Sequence, residues 1–376
     1  MNPEGVLIFS GYNERGIVAF CRFCQKHGIP FFVVAAHAED KIFHSSYYQN
    51  VIYIRKNQDL TIEDMQRYRL LVSARLSGNN TGTIVILPST EFLNRFLLGE
   101  RKKIETIGYT IPLCPEEVYQ TISDKYSFCF LCQQYGIPTP RELPQNEYLT
   151  PPFVIKPKTY FVRGSKKVNI KPILVKTVAE WRKIQAFPSL QEIFVQEFIE
   201  GQSIYLLFYF GKNRDFHVYS QENFMQQSDG RSIIAARSSE FHKFLDIQPY
   251  FLLFQNLGFE GLVMVEIRYS QGIPYMIEAN PRLWGPSQLI NDAGMQLFTL
   301  WAKDLGLIKD LPQYEYQIGA TYFWTGGILE DSRLGKSVTF HNYSKEQFFD
   351  EYDQWLQGDV YLRDDTIGIF LREVRG

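Results

Sequence analysis

The stretch MIEANPRLWG, Met276 to Gly285, leaves an apolar run for a carboxylate, an amide and a guanidinium: Glu278, Asn280 and Arg282. The segment that contains its start, GLVMVEIRYSQGIPYMIEAN (261–280), predicts a β-hairpin turning at Gln271-Gly272. Strand side chains alternate, so Leu262, Met264, Glu266 and Arg268 are expected on one face of the first strand, with Met276, Glu278 and Asn280 sharing a face of the second. With the loop centred near Gly272, Glu266 lies roughly opposite Glu278. Like charges so opposed, beside Met264 and Met276, are unfavourable unless a cation compensates or the protonation of the pair changes. Two carboxylates and an amide oxygen form an all-oxygen anionic ligand set that suits Mg²⁺. Arg282 then reaches a phosphoryl group as a planar fork. The same residues also read as a solvent-exposed charged hairpin in which Arg268 bridges the two glutamates.

Lysines favour the first reading. Lys156 ends the apolar strand FVIK, where a long cationic chain enters a cleft. Lys125 lies in the first turn of a helix, the end that favours negative charge. RGSKK (163–167) connects two strands, and its backbone N–H groups and lysines can close over phosphates. Each lysine alone reads as surface. Beside two metal-type carboxylates they describe a nucleoside triphosphate and its magnesium. Cys21/Cys24 and Cys129/Cys132 form two CxxC pairs, a spacing open to a four-thiolate zinc site. Both fall in helical patterns without knuckle turn residues, so buried, reduced core cysteines are expected.

The elements that must position these groups are legible in outline. GVLIFSG, ERGIVAFCRFCQKHG and IPFFVVAA read as strand, helix, strand, a βαβ unit continued by NVIYI and GTIVILPST. A small Rossmann-like parallel sheet over 1–115 follows, with ligand positions at its strand ends: Ser10-Gly11 and Ser89-Thr90-Glu91. Its GYNERG loop is not GxGxxG, so a dinucleotide fingerprint is absent. Ser123-Asp124 is expected to cap a helix running to Gly136. EIFVQEFIEGQSIYLLFYF predicts two strands bent at Glu200-Gly201, and SKEQFFDEYDQWLQG a helix in a tail (331–376) without readable chemistry.

Composition bounds the function class. The chain has 376 residues, enough for two or three structural units, and 45% apolar content supports a globular core. A net charge of −2 without a basic block argues against nucleic acid or an acidic membrane as partner. No apolar run approaches the roughly 18–20 residues of a spanning helix. The N-terminus lacks a basic n-region, so a cytoplasmic protein is the expectation.

SDKYSF, VIKP, VQEFIEG, VMVEIR and above all IEANPRLWGPSQLINDAG give the chain its family likeness. Over about 1–330 it resembles the ATP-grasp superfamily, in the branch related to carbamoyl-phosphate synthase large chains. The resemblance implies an α/β plus α+β architecture: a Rossmann-like pre-ATP-grasp domain (1–115), an N-terminal ATP-grasp lobe with a phosphate lid (116–200), and a C-terminal lobe with the metal site and an extension (201–376). It implies ATP with Mg²⁺, or Mn²⁺ in its place. Lys125 and Lys156 match phosphate-contacting lysines, and Lys167 is the lid residue assigned. Gln196, Glu197, Phe198 and Ile199 match the adenine edge, Glu197 accepting from the exocyclic amine and Ile199 bonding through its backbone. Glu266, Glu278 and Asn280 match the Mg²⁺ ligands, and Arg282 the arginine that steadies the transferred phosphoryl group. Gln202-Ser203 stand where the family often has an acidic ribose-binding residue, and the lid lacks the multi-glycine form.

What the resemblance implies is ligation through an acyl phosphate: a small-molecule carboxylate takes the γ-phosphoryl group of ATP, and an amine displaces phosphate. Arg268 and Arg237 are candidates for the substrate carboxylate, and Arg15, Ser89 and Thr90 for the second substrate. The alternatives are an ATP-binding regulatory or scaffold protein, a nicotinamide-dependent oxidoreductase, and a kinase or bicarbonate-activating relative. Dimers are common among relatives, so a homodimer is compatible.

Overall fold

The computed structural model describes residues 3–76, 82–144, 150–160, 171–184, 193–212 and 215–376. The expected lid, with Lys167, lies outside the described residues. Five strands open the chain: β1 (Pro3–Phe9), β2 (Phe31–Ala35), β3 (Val51–Ile54), β4 (Thr83–Ile86) and β5 (Tyr109–Thr110). All pair in parallel in the order β3-β2-β1-β4-β5. Helices α1 (Glu14–Lys26), α2 (Ile62–Arg75), α3 (Glu91–Gly99) and α4 (Arg101–Thr106) fill the connections. The continuous apolar runs follow from burial on both faces. Val6, Ile8 and Val33 pack with Ile17, Phe20 and Cys21 of α1, while Leu7, Phe9, Ile84 and Ile86 pack with Met65, Tyr68 and Leu97 of α2 and α3. The strand order reverses between β1 and β4, and the carboxyl ends of those two strands therefore flank a switch-point crevice. Ser10 and Ser89 follow them.

Helices α5 (Glu116–Ser123) and α6 (Lys125–Gln134) come next, then an antiparallel sheet of β6 (Phe153–Pro157), β7 (Ile173–Val175) and β8 (Ile193–Glu197) in the order β7-β6-β8. Its core is Leu143, Phe153, Ile155, Val175, Trp181 and Val195. The helix expected to follow Ser123-Asp124 is α6, with Asp124 at its N-terminal boundary, but the Asp124 side chain makes no capping hydrogen bond. Both side chains are drawn off by Arg95 of α3, which donates to Asp124 Oδ1 at 2.7 Å and Ser123 Oγ at 3.0 Å.

A larger sheet contains β9 (Gln202–Phe210), β10 (Phe216–Gln226), β11 (Ile233–Ser239), β12 (Gly261–Ser270), β13 (Ile273–Asn280) and β14 (Thr321–Phe323), ordered β13-β12-β9-β10-β11-β14, with β15 (Thr339–Phe340) paired to the end of β10. One face packs Ile204, Phe208, Val263 and Val265 on Tyr119 and Phe128 of α5 and α6 and on Phe254. The other packs Leu207, Tyr209 and Met264 with Leu283, Trp284, Leu289 and Phe298, in a core continuous with α1. A fully buried side chain of this kind contributes roughly 1.5–3 kcal/mol.

The β12–β13 hairpin turns at Gln271 and Gly272, both at positive φ (50° and 82°), the geometry of a two-residue turn matched to strand twist. One feature departs from strict alternation. Glu266 pairs with Glu278 but Ile267 with Met276, which leaves Ile277 as a bulge. Met276 is thereby turned away from Glu278 and Asn280, into the core with Ile267 and Val265. The predicted shared face of Met276, Glu278 and Asn280 is corrected by that extra residue.

The tail forms helices Lys345–Asp350 and Tyr352–Gln357, where one was expected, and a last helix, Ile367–Arg375, that returns to the N-terminal unit. There Lys41 Nζ donates to Glu373 at 2.6 Å, and Arg22 of α1 donates to Asp365 at 2.7 and 2.9 Å. The cysteine pairs are buried in different cores, Cys21/Cys24 with α1 and Cys129/Cys132 with α6, so they cannot share one zinc ion. Burial pushes the Cys24 thiol well above its ordinary value.

Candidate active site

Around the hairpin the carboxylates meet a ring of cations. Glu266 and Glu278 stand opposite one another, and Asn280 lies opposite Met264. Lys125, at the start of α6, forms an ion pair with Glu278. Lys156, from β6, donates to the carbonyl oxygen of the bulged Ile277 at 3.0 Å. Asn280 Nδ2 donates to Glu278 Oε1 at 2.8 Å, and Arg282 Nη2 donates to Asn280 Oδ1 at 2.8 Å. Arg268 Nη2 donates to Glu266 Oε1 at 3.1 Å. The hairpin, α6 and β6 thus bring Lys125, Lys156, Glu266, Glu278, Asn280, Arg268 and Arg282 together. Arg268 bridges to Glu266 alone.

The electrostatics follow from burial and these partners. Burial would raise the Glu278 carboxyl, but Lys125, by charge and hydrogen bond, with Asn280 and Arg282, outweighs it and holds the group at about 2. Glu266 moves the other way: burial raises it, Arg268 offsets part, and the facing Glu278 raises it again. Lys156 is lowered to about 8, first by burial and then by Lys125. Burial, then Glu266 and Glu278, keep the Tyr205 phenol well above its ordinary value. Tyr205 lies beside Glu266 in the β9–β12 register and carried no signal in the sequence.

Among the described residues no group of three His, Cys, Asp or Glu side chains is placed to hold a metal, so an ion here depends on the Asn280 amide oxygen as third donor. That donor set, two opposed carboxylates and an amide oxygen, fits Mg²⁺, which takes a few protein oxygens and completes its shell with waters and phosphates. Soft ligands are absent from the set, which disfavours zinc.

Gln196 of β8 points toward α6, donating to Cys129 Sγ at 3.3 Å and Pro140 O at 3.0 Å, while its buried Oε1 has no hydrogen-bond partner among the described residues. Glu197 points the other way along β8 and accepts from the Arg141 backbone N–H at 2.9 Å. Phe198 is exposed and Ile199 follows it in the link to β9. Gln202 donates to Glu222, and Ser203 accepts from Asn223, which commits both to β10.

The substrate candidates divide. Ser89 and Thr90 lie beside the Arg282 segment, because Asn13 Nδ2 donates to both Ser89 O and Leu283 O, at 3.2 and 3.0 Å. Ser89 Oγ is buried without a partner among the described residues, and Thr90 caps α3. Glu91 lies 3.9 Å from Arg282 Nε and accepts from Tyr119 and Arg95. Arg15 is engaged elsewhere: it stacks 3.8 Å from the Trp324 ring and donates to Ile233 O and Tyr322. Arg237 is also engaged away from the carboxylates. It lies within β11, pairs with Glu351 and stacks on Trp355 at 4.3 Å, held by the tail rather than by the carboxylate cluster.

No protein-family model matches the sequence, and no curated protein matches it significantly. Solved structures do match. The ADP complex of N5-carboxyaminoimidazole ribonucleotide synthetase is 14% identical with a TM-score of 0.60, over 95% of this chain and 98% of that one. The biotin carboxylase domain of Hydrogenobacter thermophilus 2-oxoglutarate carboxylase, in complex with MgADP, ADP and bicarbonate, is 14% identical with a TM-score of 0.59, over 85% and 74%. The L-amino acid ligase from Bacillus licheniformis is 16% identical with a TM-score of 0.55, over 81% and 75%.

Proposed function

We propose that this chain, which has the ATP-grasp fold of those structures, is an ATP- and Mg²⁺-dependent ligase that activates a carboxylate as an acyl phosphate and joins it to an amine. One observation carries the reading: Glu266, Glu278 and Asn280 converge on one end of the hairpin, ringed by Lys125, Lys156, Arg268 and Arg282. Glu266, Glu278 and Asn280 would hold Mg²⁺, which when bound neutralises charge on the nucleotide phosphates.

The chain's own residues do the rest. Lys125 and Lys156 meet the phosphates, and Arg282 steadies the phosphoryl group as a substrate carboxylate oxygen bonds to the γ-phosphorus and ADP leaves. The amine then attacks the acyl carbon, phosphate departs, and the amine proton is lost. Phosphoryl transfer is mostly positioning and charge neutralisation, which this set of side chains supplies. Gln196, with a free buried amide oxygen, is the adenine-edge side chain, and Lys167 belongs to the lid in this reading. Ser89, Thr90 and Glu91 line the acceptor side.

A second reading, activation of bicarbonate, is supported by the likeness to the 2-oxoglutarate carboxylase domain bound to bicarbonate. Phosphate release from ATP, screened against amino-acid pairs, sugar acids and bicarbonate with product masses measured, separates the two. Glu278→Ala is expected to lower that release by on the order of 10³-fold while the protein stays folded. Turnover like that of the unmodified enzyme removes the metal assignment.

A further inference from the structure

The tail reaches the carboxylate cluster at one point. Strand β15 pairs Thr339 and Phe340 with Gln226 and Met225 at the end of β10, which delivers His341 beside Arg268. The hydrogen bonds there have determined directions. Gln226 Nε2 donates to Gly230 O at 3.0 Å and Arg231 O at 2.8 Å, which fixes the amide and turns Oε1 inward. Oε1 accepts from Arg268 Nη2 at 3.3 Å and from His341 Nε2 at 2.9 Å. With its proton on Nε2, His341 presents a bare Nδ1, and a guanidinium can only donate, so Nδ1 accepts from Arg268 Nη1 at 3.2 Å. Arg268 completes the chain through Nη2 to Glu266 Oε1. The imidazole is neutral, and both terminal nitrogens of the guanidinium beside it are engaged.

We propose that His341 is a positioning residue for the metal site: its Nδ1 aims Arg268, and Arg268 aims the Glu266 carboxylate at the ion. The tail is then a working part of the active site. This rests on the reading of Glu266 as a metal ligand. Groups that hold a ligating carboxylate from behind typically alter metal affinity 10–100-fold when removed.

The test is Mn²⁺ binding to the full chain in the presence of ADP, read from the loss of the free-ion electron paramagnetic resonance signal, alongside ADP affinity without metal. His341→Asn keeps an acceptor oxygen near the Nδ1 position. His341→Gln carries its amide past that position toward Gln226, and His341→Ala has neither. The expected result is Mn²⁺ affinity within about threefold of the unmodified protein for Asn, and at least about tenfold weaker for Gln and Ala, with metal-free ADP affinity unchanged in all three. Equal affinity for the Asn and Gln variants overturns the proposal, whether both bind well or both bind poorly, and the comparison needs no folded Ala variant. So does a fall in metal-free ADP affinity that parallels the Mn²⁺ loss, which marks a structural role. Failure of the unmodified protein to bind Mn²⁺ with ADP is the separate outcome that overturns the proposed function itself.

Discussion

Lys156 shows how much of this site depends on burial. Its folded pKa, about 8, lies below the ordinary lysine value because burial and then Lys125 disfavour the cation. The unfolded chain therefore holds that proton more tightly, so the group costs stability at neutral pH, and stability rises as pH climbs from about 8 toward the unfolded value. The retained cost is intelligible if the cation meets phosphates. Binding then favours the charged form, and ADP affinity is expected to be level below pH 8 and to fall above it by up to about tenfold per pH unit. Calorimetry from pH 7 to 9.5 reads this directly, and Lys156→Arg should abolish the fall. A level profile in the unmodified protein contradicts it. At this scale the sequence was informative where a motif is local: Glu278, Asn280 and Arg282 sit within five positions, and a loop centred near Gly272 put Glu266 across from Glu278, a pairing that the Ile277 bulge produces from a turn at Gln271-Gly272. His341 and Tyr205 were silent, because a lone His in a tail or a Tyr in an apolar run has no local pattern that reveals its neighbours.

Elements set where those side chains point, and here single residues matter through the backbone. The Ile277 bulge turns Met276 into the core while Glu278 and Asn280 stay with the cations, and it presents a carbonyl to Lys156. Periodicity could not show it, since a bulge breaks the period from which strands are read. The bend at Glu200-Gly201 was legible, yet its steric reason was not. A Cβ on Gly201 would lie 2.3 Å from the backbone oxygen of Tyr269, on the strand that carries Glu266 and Arg268. Gly201→Ala must move β9 or β12, and we expect a loss of at least about 2 kcal/mol together with weaker ADP binding. Denaturant melts and calorimetry check both, and an unchanged midpoint would contradict the close approach.

At the scale of the molecule, the parallel sheet with its switch-point crevice followed from alternating apolar runs and helices. The order of the seven-stranded sheet did not, because β14 and, in the tail, β15 pair with strands distant in the sequence. That tail ties the cluster to the rest of the chain: β15 brings His341 to Arg268, and Asp365, just before the last helix, holds α1 through Arg22. The central claim is that the hairpin end, facing Lys156 of the small sheet and Lys125 of α6, holds the ion and the terminal phosphates. Crystals grown with a non-hydrolysable ATP analogue and Mn²⁺, located by anomalous scattering, test it most directly. The account predicts one or more peaks with oxygens of Glu266, Glu278 and Asn280 at about 2 Å and Lys125 turned from Glu278 to a phosphate. A nucleotide bound with its ion elsewhere, and the Lys125–Glu278 pair intact, would contradict it.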